Sequence, residues 1–384
     1  MSEAPIVIVG TGLSGYSLVR EIRKLDKTVP VLMITADDGH SYSKPMLSTG
    51  FTKSKTADEL SQADAASMVE QLNIEIRTHT EVTGIDSANH RLMIGTEALE
   101  YRQLVLAWGA DVIRLDIAGD GADEVYSIND LMDYRRFRAA LEGRKRVAVM
   151  GAGLIGCEFA NDLRNGGYEV SVIAPCDTVM PGLLPPQAGR AVSEGLQELG
   201  VEFHLNAAVD RIDRMDDGAF RLTLTNELVL EADLVVSAVG LRPRTQLAAE
   251  AGLKVKRGIE VDRALQTSAD DVYALGDCAE VDGHVLLYVL PLMASARALA
   301  KTLTGERTEV RYGAMPVMVK TPVVPTAVCP PPGDAQGEWQ VEQDGRNVRA
   351  LFCDTAGNRL GFALTGDYAV EKQALSKEMP PLHS

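Results

Sequence analysis

The chain has 384 residues, 46% apolar and 24% charged, a globular composition too long for one ordinary core, so two or three domains are expected. Its 38 basic and 54 acidic residues leave a net charge of −16, a field that repels phosphate-rich surfaces and argues against nucleic acid or membrane partners. The five cysteines (Cys157, Cys176, Cys278, Cys329, Cys353) are scattered, with no CxxC pair. That spacing excludes a disulfide framework and gives no ligand set for zinc or iron–sulfur, so no resident metal is expected. Reduced thiols, no signal-peptide pattern, and no run near the roughly 18–20 apolar residues of a membrane helix together predict a cytoplasmic protein.

Residues 6–9 form a short continuous apolar run, as expected of a parallel strand covered on both faces. The turn Gly10-Thr11-Gly12-Leu13-Ser14-Gly15 follows, then helical spacing over 16–25, then a second apolar run at 29–34. Strand, glycine turn, helix and strand within about thirty residues make a βαβ unit. Asp37 and Asp38 stand 22 and 23 residues beyond Gly15, where an acid binds ribose hydroxyls, and Asp37 is the candidate. A buried strand at 104–109 ends in Ala107, Trp108 and Gly109. The first pattern then returns: a strand at 146–150, the turn Gly151-Ala152-Gly153-Leu154-Ile155-Gly156, a helix over 157–165 and a strand at 169–173. The copies lie 141 positions apart (151 − 10), far too wide for a solenoid, so they read as two domains of one type.

A lone GxGxxG is a weak signal, but here each copy has the strand and helix that give it a mechanism. Gly10 and Gly151 permit the tight turn, Gly12 and Gly153 let backbone approach a pyrophosphate, and Gly15 and Gly156 let helix pack on strand. The free N–H groups of the helix N-terminus then face the diphosphate. The strand after the second turn ends in Ala174-Pro175, with neither an acid nor a nearby arginine to hold a 2′-phosphate. NADH is therefore expected, with NADPH possible. Later runs end in Gly240 and in Gly276-Asp277, and the Asp277 carboxylate can accept hydrogen bonds from a polyol such as a ribityl chain. Beyond Met315 the chain is proline-rich, and alternating segments near 339–341, 348–353 and 361–365 predict a small α+β unit with an antiparallel sheet.

In this order the motifs resemble the pyridine nucleotide–disulfide oxidoreductase superfamily, over roughly residues 4–310. The resemblance implies an α/β fold with two Rossmann-like, glutathione-reductase-type dinucleotide-binding domains plus a small C-terminal α+β domain. The FAD-binding domain would comprise 1–112 and 238–313, the NAD(P)H-binding domain 113–237, and the C-terminal domain 314–384. Trp108 stands where the family has threonine. No redox cysteine pair is present, and Thr49 occupies the place of the oxidase and peroxidase cysteine, which disfavours disulfide and peroxide chemistry. Cys278, after the Gly-Asp turn, is read as structural.

The segment Tyr42-Ser43-Lys44-Pro45-Met46-Leu47-Ser48 is similar to one in rubredoxin and ferredoxin reductases, and Glu158 matches an acid of that family beside the nicotinamide and flavin. Lys44 and Glu158 are the candidate catalytic residues, expected as a pair near flavin N5 and O4. Val289, with Tyr288 and Pro291, is expected at the flavin's pyrimidine end. Residues 315–322 and 367–372 resemble the C-terminal domain of rubredoxin–NAD(+) reductases. Lys320 falls there, with a cofactor contact and a place on the acceptor-docking surface both in view. The implied activity carries electrons from NADH through FAD to rubredoxin singly, in a monomer or weak homodimer. Three rivals remain: a ferredoxin reductase of an oxygenase system, an NADH oxidase, and an FAD protein with a regulatory partner.

Overall fold

The computed structural model describes residues 4–382. The elements that frame the site are β1 (Ile6–Val9), α1 (Leu13–Leu25), β2 (Val31–Ile34), β3 (Gln103–Leu106), α2 (Leu131–Ala140), β4 (Arg146–Met150), α3 (Leu154–Asn165), β5 (Glu169–Ala174), α4 (Pro186–Glu198), β6 (Leu234–Ser237), β7 (Val272–Ala274) and α5 (Val289–Leu303).

All four residues of β1 are buried, and the strand is central in a parallel sheet ordered β7, β3, β1, β2 and Glu75–Arg77. β4 holds the same place in a second parallel sheet, ordered Tyr126–Ser127, β6, β4, β5 and Val201–Leu205. The continuous apolar runs in the sequence mark strands with both faces covered. The first sheet is completed by β7, which the chain reaches only after finishing the second, so the second unit is an insertion in the first. Where the chain crosses out and back, Ala110–Val112 and Leu241–Pro243 pair antiparallel.

Both glycine-turn helices begin three residues earlier than their apolar spacing suggests, at Leu13 and Leu154. The reason is steric. Gly15 and Gly156 lie inside the first turn, pressed on the carbonyls of Gly10 and Gly151, where any Cβ would collide.

The C-terminal segment forms the expected antiparallel sheet, ordered Val317–Val319, Thr326–Cys329, Arg359–Thr365, Asn347–Cys353 and Glu338–Asp344. Val324, Val328, Val348, Ala350 and Ala363 of this unit share one core with Ala188, Ala191, Val192 and Leu196 of α4. The third unit therefore rests on the second. Gly195 of α4 is the point of closest approach, because a Cβ there would overlap the Val324 side chain, which is only 2% exposed. Glycine to alanine in a helix normally gains about 1 kcal/mol, but overpacking a close contact costs ~1–3 kcal/mol. Gly195→Ala should therefore lower the thermal midpoint, whereas Gly182→Ala, with no atom within 4 Å of its Cβ position, should not. A raised midpoint for Gly195→Ala, read by circular dichroism, would show that the sheet yields.

Candidate active site

Gly12 caps α1 and Gly153 caps α3, neither with a side-chain hydrogen bond and neither with an acid in the first turn. By contrast α2 is capped by Asp130, whose carboxylate accepts from the Asp133 amide at 2.7 Å. The two glycine helices thus keep free N–H groups and a positive dipole end, the combination that holds a diphosphate. Gly10 and Gly151 turn with φ of +114° and +109°, a region that a Cβ disfavours. There a Cβ would also strike the carbonyl of Ala107 or Ala238 on the adjacent strand's exit. Gly12 and Gly153 are different. Their φ values, −66° and −75°, suit any residue, and no protein atom lies within 4 Å of either Cβ position. These glycines leave room for a ligand, not for the fold, and the cradles fit a dinucleotide.

Around the first cradle, Asp37 Oδ1 accepts from Thr11 Oγ1 at 3.1 Å, Thr35 Oγ1 at 2.6 Å and the Gly39 amide at 2.9 Å. The acid ties the turn after β2 to the glycine loop. Gly276 packs against Ser14 at the start of α1, which brings Asp277 beside the same helix end. Asp277 faces Lys44 at 3.5 Å, and Lys44 donates to Asn129 Oδ1 at 2.8 Å. Lys44 and Pro45 open the 3-10 turn Lys44–Thr49, which carries Ser48. Trp108 has a use of its own: its indole N–H donates to the Arg244 carbonyl at 3.0 Å, and Arg244 Nη1 returns a bond to the Trp108 carbonyl at 2.7 Å. This exchange fastens the crossing strands between Gly109 and Gly240. Ile155 and Val289, at the first turns of α3 and α5, are 45% and 39% exposed, apolar side chains of the kind a ligand ring covers.

Glu158 on α3 is 1% exposed, and a carboxylate buried so deeply needs a counter-charge and donors. Ser48 Oγ donates to Oε2 at 2.6 Å, and the Lys320 backbone amide donates to Oε1 at 3.0 Å. The Lys320 ammonium pairs with Oε2 and donates to Ser48 Oγ at 3.3 Å. The expected Lys44–Glu158 pair is therefore not formed. Asp277 and Asn129 hold Lys44, while Lys320, 162 residues beyond Glu158, supplies the cation. The Lys320 ammonium is committed to Glu158, although its side chain remains 31% exposed. Spacing carries no signal that distinguishes two remote lysines, and Asn129, a single polar residue in a loop, had none either.

Four of the five thiols are buried. Cys278 is buried and donates to the Leu106 and Leu275 carbonyls at 3.3 and 3.5 Å, and burial pushes its pKa up to about 12. Burial likewise raises that of Cys157. A thiol shifted upward is no nucleophile at neutral pH.

Two diphosphate cradles of one design, linked by the Ser48–Glu158 hydrogen bond and with no thiol pair beside them, define an oxidoreductase that couples a flavin to a pyridine nucleotide. The chain belongs to the pyridine nucleotide-disulphide oxidoreductase family, which matches residues 4–301, and residues 309–379 match the rubredoxin binding C-terminal domain. It is 55% identical over 378 residues to the rubredoxin-NAD(+) reductase of Alcanivorax borkumensis, covering 98% of this chain and 99% of that one. Identity to the rubredoxin-NAD(+) reductase of Acinetobacter baylyi is 44% over 386 residues, covering 98% of each. A ferredoxin reductase from Rhodopseudomonas palustris, 24% identical, has the same fold with a TM-score of 0.87 over 98% of this chain and 96% of that one. The fold class read from the sequence holds, as do FAD and a pyridine nucleotide as cofactors.

Gly12→Val should give a folded, colourless protein, since the new side chain meets the diphosphate and nothing else; a yellow protein would refute the first cradle. Gly153→Val should stay yellow yet resist bleaching by NADH. In a thiol-reagent titration at pH 7, roughly one of the five cysteines should react before denaturation, because Cys176 alone is partly exposed. Rapid labelling of a second would contradict the burial described.

Proposed function

We propose that this protein carries electrons from NADH to rubredoxin, one at a time at the exit, with FAD bound between them. The observation that carries the reading is Lys320: a residue within the rubredoxin-binding segment pairs with the buried acid beside the nicotinamide cradle. Bound FAD supplies the conversion of a two-electron donor to one-electron acceptors. The residues' share is positioning. Gly12 and the N–H groups of α1 bind the flavin diphosphate, Asp37 meets its ribose and Asp277 its ribityl portion, within a unit of residues 1–112 and 238–313. Gly153 and α3 bind the nicotinamide dinucleotide in residues 113–237, and residues 314–384 present the acceptor. NADH is preferred because the tip of β5, Ala174 and Pro175, offers no cation to a 2′-phosphate. The protein works in the cytoplasm as a monomer or weak homodimer.

Stopped-flow reduction with NADH, followed by mixing with rubredoxin or a [2Fe–2S] ferredoxin, tests the reading: fast reoxidation by rubredoxin alone supports it, and preference for ferredoxin overturns it. Lys320 gives a second test. Lys320→Met leaves a buried carboxylate without its cation, a loss worth about 3–5 kcal/mol in such sites. Reduction by NADH should slow by at least roughly tenfold, equivalent to about 1.4 kcal/mol of barrier, while the KM for rubredoxin stays within about twofold. A raised KM with an unaltered first half-reaction would return Lys320 to the docking surface.

A further inference from the structure

Lys44 has an ammonium with three donors and no acceptor. Asp277 lies 3.5 Å away, a charge contact too long to fix a direction by hydrogen bonding. Asn129 Oδ1, at 2.8 Å, is a true hydrogen bond. The orientation of the Asn129 amide is itself determined. Its Nδ2 donates to the Ala110 carbonyl at 2.9 Å, and a carbonyl accepts only, so the amide nitrogen must face Ala110 and the oxygen must face Lys44. The Asn129 backbone amide donates to Asp133 Oδ2 at 3.1 Å, which fixes the residue to the first turn of α2 just ahead of its Asp130 cap. Ala110 in turn pairs with Pro243 where the chain crosses between units. Asn129 is thus held at both its amide and its backbone, and it aims one oxygen at a lysine of the other unit.

We propose that Asn129 is a positioning residue for Lys44, holding the ammonium out from Asp277 so that a donor remains for the flavin. This rests on the function proposed above, together with the family resemblance that sets Lys44 near the flavin. Without Asn129 the ammonium collapses onto Asp277, the nearest full negative charge, and its field at the cofactor is neutralised. Leucine is close in size to asparagine but offers neither the acceptor nor the donor. Aspartate is a poor substitute, since it would set a carboxylate against the Ala110 carbonyl.

The test is a double-mutant cycle of Asn129→Leu and Lys44→Met in the FAD-loaded full chain. The readouts are the flavin midpoint potential, its visible spectrum, and the rate of reduction by NADH. Lys44→Met should lower the potential. Asn129→Leu should shift potential and spectrum in the same direction and slow reduction by roughly tenfold. In the Lys44→Met background, Asn129→Leu should leave potential and spectrum unmoved and change the rate by less than about twofold, because the residue acts only through the lysine. Equal effects in both backgrounds would mean a merely structural asparagine and overturn the proposal. So would an unaltered potential in Asn129→Leu when Lys44→Met shifts it. A potential unmoved by Lys44→Met itself, with FAD still bound, refutes the placement of the flavin beside Lys44 as well, which tells that failure from the first two. Should Asn129→Leu fail to retain FAD, Asn129→Ala makes the same cycle, leaving space for water at the Ala110 carbonyl.

Discussion

Burying Glu158 is the constraint on which the arrangement of the three units depends. A carboxylate 1% exposed is tolerable only with a counter-charge and donors on both oxygens. Here they come from Ser48, in the loop after the first nucleotide unit's second strand, and from Lys320, at the end of the first strand of the C-terminal sheet. Withdrawal of Ser48 would cost the carboxylate a donor, and withdrawal of Lys320 would leave its charge uncompensated. The acid of the second unit therefore fixes where the first unit's loop and the third unit's sheet must stand. The third unit is held from below as well, by its shared apolar core with α4. Apolar packing supplies the area of that contact, and the ion pair supplies its registration.

The lysines divide labour in a way that charge counting does not reveal. A chain with a net charge of −16 sets two partly exposed lysines at the site and gives each a different carboxylate. Lys320 neutralises a buried acid, and Lys44 faces the partly exposed Asp277. Two cations on one acid would have left Asp277 without a cation. Separate pairing keeps both acids compensated and leaves Lys44 to be directed by a neutral amide.

Much of this was legible in the sequence, for a physical reason. Continuous apolar runs and glycine turns are local, and they encode elements whose partners lie within about thirty residues. So β1, β4 and their helices, the alternating C-terminal strands, and the open Cβ positions of Gly12 and Gly153 could be read directly. The helix starts were missed by three residues because close packing of Gly15 on Gly10 draws the turn into the helix. The ion pairing was misread for a different reason. Which lysine meets Glu158 depends on how sheet and helix faces dock, and Lys320 arrives from 162 residues away. Trp108 looked like a defect in a family motif until the crossing strands showed what its indole donates to.

The sealed thiols give the C-terminal unit its importance. A protein with an accessible cysteine pair can hand electrons from its cofactor to sulfur and then outward by exchange. Here Cys278 and Cys157 are both buried with raised pKa values, and Cys176, partly exposed, has no accessible partner thiol, so no accessible cysteine pair serves as a relay. Electrons must leave by direct approach of the acceptor, and approach is a matter of geometry. A third unit built into the core of the second, and pinned by Lys320 to Glu158, stands in fixed relation to both cradles. Rigidity there comes from the same ion pair that makes burial of Glu158 possible.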